Sequence, residues 1–330
     1  MGARLACQGL TRQVMVLAAA VLVMATIPIS AAARASTDTG SVLGAYTGYG
    51  NVAADQEIGS LLGQPLAFGS DYIPYSQGWS GITNPNIESR WANSGLRMVY
   101  GLPMFPTTCA IGSSACWNAG AAGSYDSYFV TVAQNLVRFG QGNAVIRIGW
   151  EFNVPGEYSW YAAGYSAQFV QYWQNIVTAM RSVPGADFVF DWNPNIGSAI
   201  SDLADYYPGS SYVGSVGFDI YDMGWKAYPG PQAVWQNYLT EREGLNWLVS
   251  FGNANDEPLS LPEWGLGFTA SPAGSGNVTG GDDPYFVSQI ASFIAANNVI
   301  EAGLWDSKGQ LPNANQNPNA TAAFLSAFSS

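Results

Sequence analysis

Apolar residues recur along this chain in short, nearly unbroken runs: 42–46, 65–68, 96–102, 144–150, 187–192, 215–221, 259–263 and 300–305. Runs of this length without polar alternation predict parallel strands covered on both faces. Between them the period lengthens to that of a helix. In 125–139, Phe129, Val132, Leu136 and Phe139 recur at helical spacing, and 168–182, 234–251, 284–297 and 321–328 read as further helices. Strands that alternate with helices over about 295 residues point to the α/β class and a single (β/α)8 TIM barrel. A doubly wound open sheet is the alternative. It would carry a G-x-G-x-x-G turn after its first strand, and Gly44-Ala45-Tyr46-Thr47-Gly48-Tyr49-Gly50 lacks that spacing and the acidic residue that follows it.

The start of the chain breaks this pattern. Arg4 and Arg12 precede an apolar run, Val14 to Ile29, interrupted by Pro28, and Ala33-Arg34-Ala35 fits a small-residue cleavage site. At roughly 16 residues the run is shorter than the ~20 that span a bilayer. The expectation is a signal peptide over 1–35, a catalytic domain over 36–330, a secreted product that is extracellular or on the cell-envelope side, and no membrane association after cleavage. Removing the leader takes Arg4, Arg12, Arg34 and Cys7, and leaves Cys109 and Cys116. Two cysteines seven apart in an exported loop predict a disulfide.

Composition then narrows the chemistry. The chain has 330 residues and no histidine, which excludes Ser-His-Asp, Cys-His and histidine-metal mechanisms. Eleven basic groups against 23 acidic ones give a formal charge of -12, which disfavours nucleic acid and anionic lipid as partners. A hydrophobic fraction of 48% excludes disorder. No metal-ligand cluster is legible, and neither metal nor cofactor is expected. The partner expected is a polysaccharide substrate, and the chain is expected to act as a monomer.

Catalytic groups of a barrel sit at the C-terminal ends of its strands. Of the nine glutamates, Glu151 closes the fourth apolar run and Glu263 the seventh, while Glu57, Glu88, Glu241 and Glu243 fall at helical positions and read as solvated. Paired carboxylates suit glycoside hydrolysis, with one protonated and one ionised, and the flanking Trp150 and Trp264 are neighbours that can separate their pKa values. The competing reading makes each an ion-pair partner, of Arg147 for example. Tyr46, Trp192, Asn193, Tyr221 and Trp305 also end strands, as groups that stack on sugar rings or bond their hydroxyls. Each could equally be packing. Asp71, Asp191, Asp219, Asp222 and Asp306 are second-choice carboxylates.

The segment IRIGWEFN, followed by Tyr158, Trp160 and Tyr161, resembles the acid/base motif of glycoside hydrolase family 26, the β-mannanase family of clan A. LPEWG resembles that family's nucleophile motif, FDIYD its nucleophile-binding tyrosine, and LWD its aromatic platform. The resemblance implies a retaining glycosidase with Glu151 as acid/base and Glu263 as nucleophile. Asn153, Trp150, Trp160, Tyr221, Trp305, Trp192 and Tyr46 would line the substrate site. The implied substrate is β-mannan, with β-glucan second. Trp150 departs from the pattern, because the family places a histidine there. That departure motivates the alternative of a non-catalytic carbohydrate-binding barrel.

Overall fold

In the computed structural model eight parallel strands close on themselves. They are β1 (Leu43–Tyr46), β2 (Phe68–Tyr72), β3 (Arg97–Leu102), β4 (Val145–Ile148), β5 (Val189–Trp192), β6 (Ser215–Gly217, resumed at Ile220–Tyr221), β7 (Leu259–Gly265) and β8 (Val299–Trp305). Each pairs with the next, and β8 returns to β1 with Leu43 opposite Ala302 and Tyr46 opposite Trp305. This is the (β/α)8 barrel that the alternation predicts. The structure describes residues 39–330 apart from 198, 201, 225–229, 267–277 and 280, so the leader lies outside the described residues. Residues Ala35–Ser330 form one compact unit. Among the described residues no helix is long and apolar enough to cross a membrane.

Three strands differ from their apolar runs in ways that shape the site. The second was expected over 65–68 but runs Phe68–Tyr72, paired to β1 and β3 along FGSDY. Its polar residues are stabilised by partners rather than by hydrophobicity. Asp71 accepts from the Trp91 indole N–H and the Gly50 amide, each at 2.7 Å, and from the Tyr72 amide at 2.8 Å. The fourth run, expected to continue to Trp150, leaves the ladder at Ile148. Gly149 turns the chain at φ 58°, and a Cβ there would lie 2.6 Å from the Met104 sulfur, so glycine is required by both conformation and space. The sixth run breaks at Phe218 and Asp219, and Asp219 is buried against Arg147.

The helical segment expected over 234–251 is two helices, Pro231–Thr240 and Leu245–Asn255, separated at Gly244. A Cβ on Gly244 would meet the Tyr238 carbonyl at 2.5 Å. Four helices gave no clear periodic signal: Val52–Leu62, Gly78–Thr83, Asn86–Trp91 and Ser114–Ala121. Cys109 and Cys116 are joined in a disulfide with Cα atoms 6.2 Å apart, on the segment that enters the last of these. Glu88 and Glu243 are buried rather than solvated.

Buried polar groups also occupy the barrel strands themselves. Asp191 on β5 accepts from Ser215 and Ser260 hydroxyls, each at 2.6 Å. Glu301 on β8 is buried, with one carboxyl oxygen left without a partner. Burial, and then the neighbouring Asp191, push its pKa up to about 8. A carboxyl held protonated by the fold contributes stability that is complete below the ordinary glutamate value. That stability falls away as pH rises towards about 8, where the folded state must bury a charge. Glu301→Gln keeps the shape and has no proton to lose. The variant is expected to exceed the parent by about 1–3 kcal/mol near pH 9 and to converge with it in acid, as read from urea midpoints across pH.

Candidate active site

Glu151 stands in the turn that follows β4. Its backbone is left-handed at φ 51°, a costly conformation for a residue with a side chain, and its amide donates to the Asn193 carbonyl at 2.8 Å beyond β5. The strained turn aims the carboxylate into the barrel mouth. There Oε1 accepts from the Asn195 side-chain amide at 2.6 Å, and Oε2 from the Tyr158 hydroxyl at 3.2 Å. Burial, and then the charge of Glu263, raise the Glu151 pKa to about 7. This carboxyl can carry a proton near neutrality and can also release it.

Glu263 lies on β7 in a different environment. Its Oε1 accepts from the Tyr72 hydroxyl at 2.6 Å and from Arg147 Nη2 at 2.6 Å, and its Oε2 accepts from the Tyr221 hydroxyl. Both of its oxygens therefore accept hydrogen bonds, one of them from a cation. Burial, followed by the Glu263 charge, holds the Tyr72 and Tyr221 hydroxyls well above the usual tyrosine range, so both remain donors. Arg147 on β4 is fully buried and also binds Asp219 at 2.8 Å and the Asn193 side-chain oxygen at 2.8 Å.

One oxygen each of Glu151, Asp219 and Glu263 lies within 4.8 Å of the other two, a spacing that could hold a cation. The Arg147 guanidinium already supplies that positive charge, since its Nη2 reaches both Asp219 and Glu263. The arrangement suits a pair of carboxylates acting on either side of a reacting bond.

Both glutamates open into a cleft of about 520 Å³ lined by Tyr46, Tyr72, Tyr75, Trp150, Tyr158, Asn195, Tyr221 and Trp305, among others. Tyr46 and Trp305 lie 5.6 Å apart at 31°, and Tyr221 meets Trp305 edge-on at 5.9 Å. The structure thus gathers Glu151, Glu263, Trp150, Tyr46, Tyr221 and Trp305 at one opening. It does not bring Asn153, Trp160 or Trp192 to it. Trp192 is buried on the far side of β5, donating to the Tyr206 carbonyl and packing on Phe152 and Phe251. Strand alternation explains this, because Asp191 faces Ser215 and Ser260 and its neighbour must face away. Trp160 is buried beneath Tyr158, parallel to it at 4.6 Å and 4°. Asn153 is buried and holds the backbone of Asn195.

Tyr72, Tyr75 and Asn195 were not anticipated at the site. Arg147 was anticipated only as an ion-pair partner of a structural glutamate. Tyr72 was hidden because β2 is polar and was placed too early, while Asn195 follows β5 in WNPN, two residues past the Asn193 expected there.

A family model matches residues 120–256, a span that holds Arg147, Glu151 and Tyr221 and stops before Glu263. The match is to glycosyl hydrolase family 26. The matched span contains IRIGWEFN, the segment that carries the resemblance, and the chain is a glycoside hydrolase. Solved structures of similar fold include the YdhT protein from Bacillus subtilis, 18% identical, with TM-score 0.60 over 89% of this chain and 87% of that one. The Bacillus subtilis mannanase BCman is 18% identical, with TM-score 0.57 over 86% of this chain and 85% of that one. A modular endo-β-1,4-mannanase from Cellulomonas fimi is 15% identical, with TM-score 0.58 over 87% of this chain and 74% of that one. At these identities the likeness concerns the fold. No curated protein matches the sequence.

Proposed function

We propose that this glycoside hydrolase cleaves a β-linked polysaccharide with retention of anomeric configuration. Glu151 protonates the leaving oxygen and later activates water, and Glu263 is the nucleophile. The observation that carries the reading is the pair itself. Glu151 follows β4 and Glu263 lies on β7, with an oxygen of each within 4.8 Å, closer than the spacing that seats the water of an inverting enzyme. Their environments differ: Glu151 is raised to about 7 by burial and then by the Glu263 charge, while Glu263 is bound by an arginine and two tyrosine hydroxyls.

β-Mannan is the favoured substrate, because the family match and two of the structural neighbours above are of mannanase type. β-Glucan is second, because Trp150 stands where the family has histidine. An indole N–H donates and cannot accept. Tyr46 and Trp305 offer apolar faces for the sugar, while Asn153 and Trp160 act from beneath the cleft. Export through the leader is in keeping with the Cys109–Cys116 disulfide, which suits an oxidising compartment. We take the enzyme to act as a monomer, without membrane association after cleavage.

Digestion of mannans, β-glucans and xylans, with products sized and their newly formed anomers followed by proton NMR, tests this. The expected result is oligosaccharides from mannan that appear first as the β-anomer. An initial α-anomer would show inversion, and release from glucan alone would move the substrate to the second choice.

A further inference from the structure

The two oxygens of Glu151 are not equivalent. Oε1 faces the Asn195 side-chain amide at 2.6 Å, and that nitrogen can only donate. Asn195 is held independently of its side chain: its amide donates to Asn153 Oδ1 at 2.8 Å, and its carbonyl accepts from Asn153 Nδ2 at 2.7 Å. Oε2 faces the Tyr158 hydroxyl at 3.2 Å, which can donate or accept. The Tyr158 ring is clamped in turn by Trp160, whose indole N–H donates to the Trp150 carbonyl at 2.8 Å.

A carboxylic acid accepts better at its carbonyl oxygen than at its hydroxyl oxygen. A fixed amide donor on Oε1 therefore makes Oε1 the carbonyl and leaves Oε2 to carry hydrogen. Resting on the reading of Glu151 as acid/base, we propose that Asn195 is a positioning residue that assigns the acidic proton to Oε2, the oxygen left with the longer contact to Tyr158. In the first half-reaction the Oε2 proton moves to the glycosidic oxygen. The bond from that oxygen to the anomeric carbon breaks as the bond from the Glu263 carboxylate to the same carbon forms. The Tyr158 hydroxyl donates to the new carboxylate at Oε2. In the second half-reaction a water proton returns to Oε2 as its oxygen displaces Glu263. The charged and titratable groups that face Glu151 are Glu263 on β7, Arg147 on β4, Asp219 and Tyr221 of the sixth strand, and Tyr158.

The test is a carbon-13 NMR titration of glutamate-labelled protein in the parent, Asn195→Ala and Tyr158→Phe, with Glu151→Gln to assign the resonance. Asn195→Ala keeps the backbone bonds to Asn153, and Tyr158→Phe keeps the stacked ring, so both variants retain the turn. Each removes a donor to the carboxylate. The Glu151 midpoint is expected to rise by about one pH unit in Asn195→Ala and by less in Tyr158→Phe. The alkaline limb of kcat/KM should move with it. Turnover of polysaccharide should fall about tenfold relative to a dinitrophenyl glycoside, whose leaving group needs little protonation. A Glu151 midpoint unmoved in Asn195→Ala overturns the proposal. If Glu151→Gln proves fully active, the acid/base reading fails instead, and the titration still reports whether Asn195 governs the proton.

Discussion

Glu263→Ala is expected to lower turnover of polysaccharide by about 10⁴-fold or more, the scale on which removal of a covalent nucleophile acts, and to leave the barrel folded. The second half of that expectation comes from charge balance. Removing one partner of a buried ion pair is usually damaging because it strands a charge. Here Arg147 faces two carboxylates, and Asp219, at 2.8 Å in the parent, is left to pair the guanidinium one to one in the variant. The Tyr72 and Tyr221 hydroxyls lose their acceptor but border an open cleft where water can replace it. Reducing-end release measures the loss of activity, and circular dichroism with a thermal melt measures the fold. Full activity would exclude Glu263 as nucleophile. Glu263 is also the second contributor to the raised Glu151 pKa, after burial, so the Glu151 titration should move down in the same variant.

The glutamates were legible because each closes an apolar run in the sequence, so hydrophobic patterning alone points to them. Their partners obey other rules. Tyr72 belongs to a strand stabilised by hydrogen bonds to Asp71 instead of by apolar burial, and a reading based on apolar runs halts at Phe68. Asn195 reaches Glu151 from beyond the end of β5, fixed by Asn153 across 42 residues of sequence. No local pattern encodes that pairing. Trp160 and Trp192 show the converse. Motif and strand-end position suggested contact with sugar, yet pleat alternation and stacking turn both rings into the protein. Trp150 was legible as a departure from the family pattern, and in the structure it lines the cleft between Tyr72 and Tyr158, 5.2 Å from each ring.

Glu151→Ala carries the other large effect, and its signature differs from that of Glu263→Ala. Alanine has the same Cβ as glutamate, so the left-handed φ of 51° costs about the same in both, and the strain of the turn does not enter the comparison. The lost function is proton transfer, worth about 10²–10⁴-fold on polysaccharide. With a dinitrophenyl glycoside the first half-reaction needs no proton, and the deficit should shift to the second, where water lacks its base. Azide needs no base and is small enough to occupy the vacated space beside Asn195 and Tyr158. Added azide should therefore restore much of the rate and yield a β-glycosyl azide, the product of two displacements at one carbon. The alkaline limb set by Glu151, whose pKa lies near 7 in the parent, should vanish from the pH profile. An α-azide would show a single displacement and exclude the covalent intermediate, whereas absence of rescue together with an unchanged pH profile would remove Glu151 from proton transfer altogether.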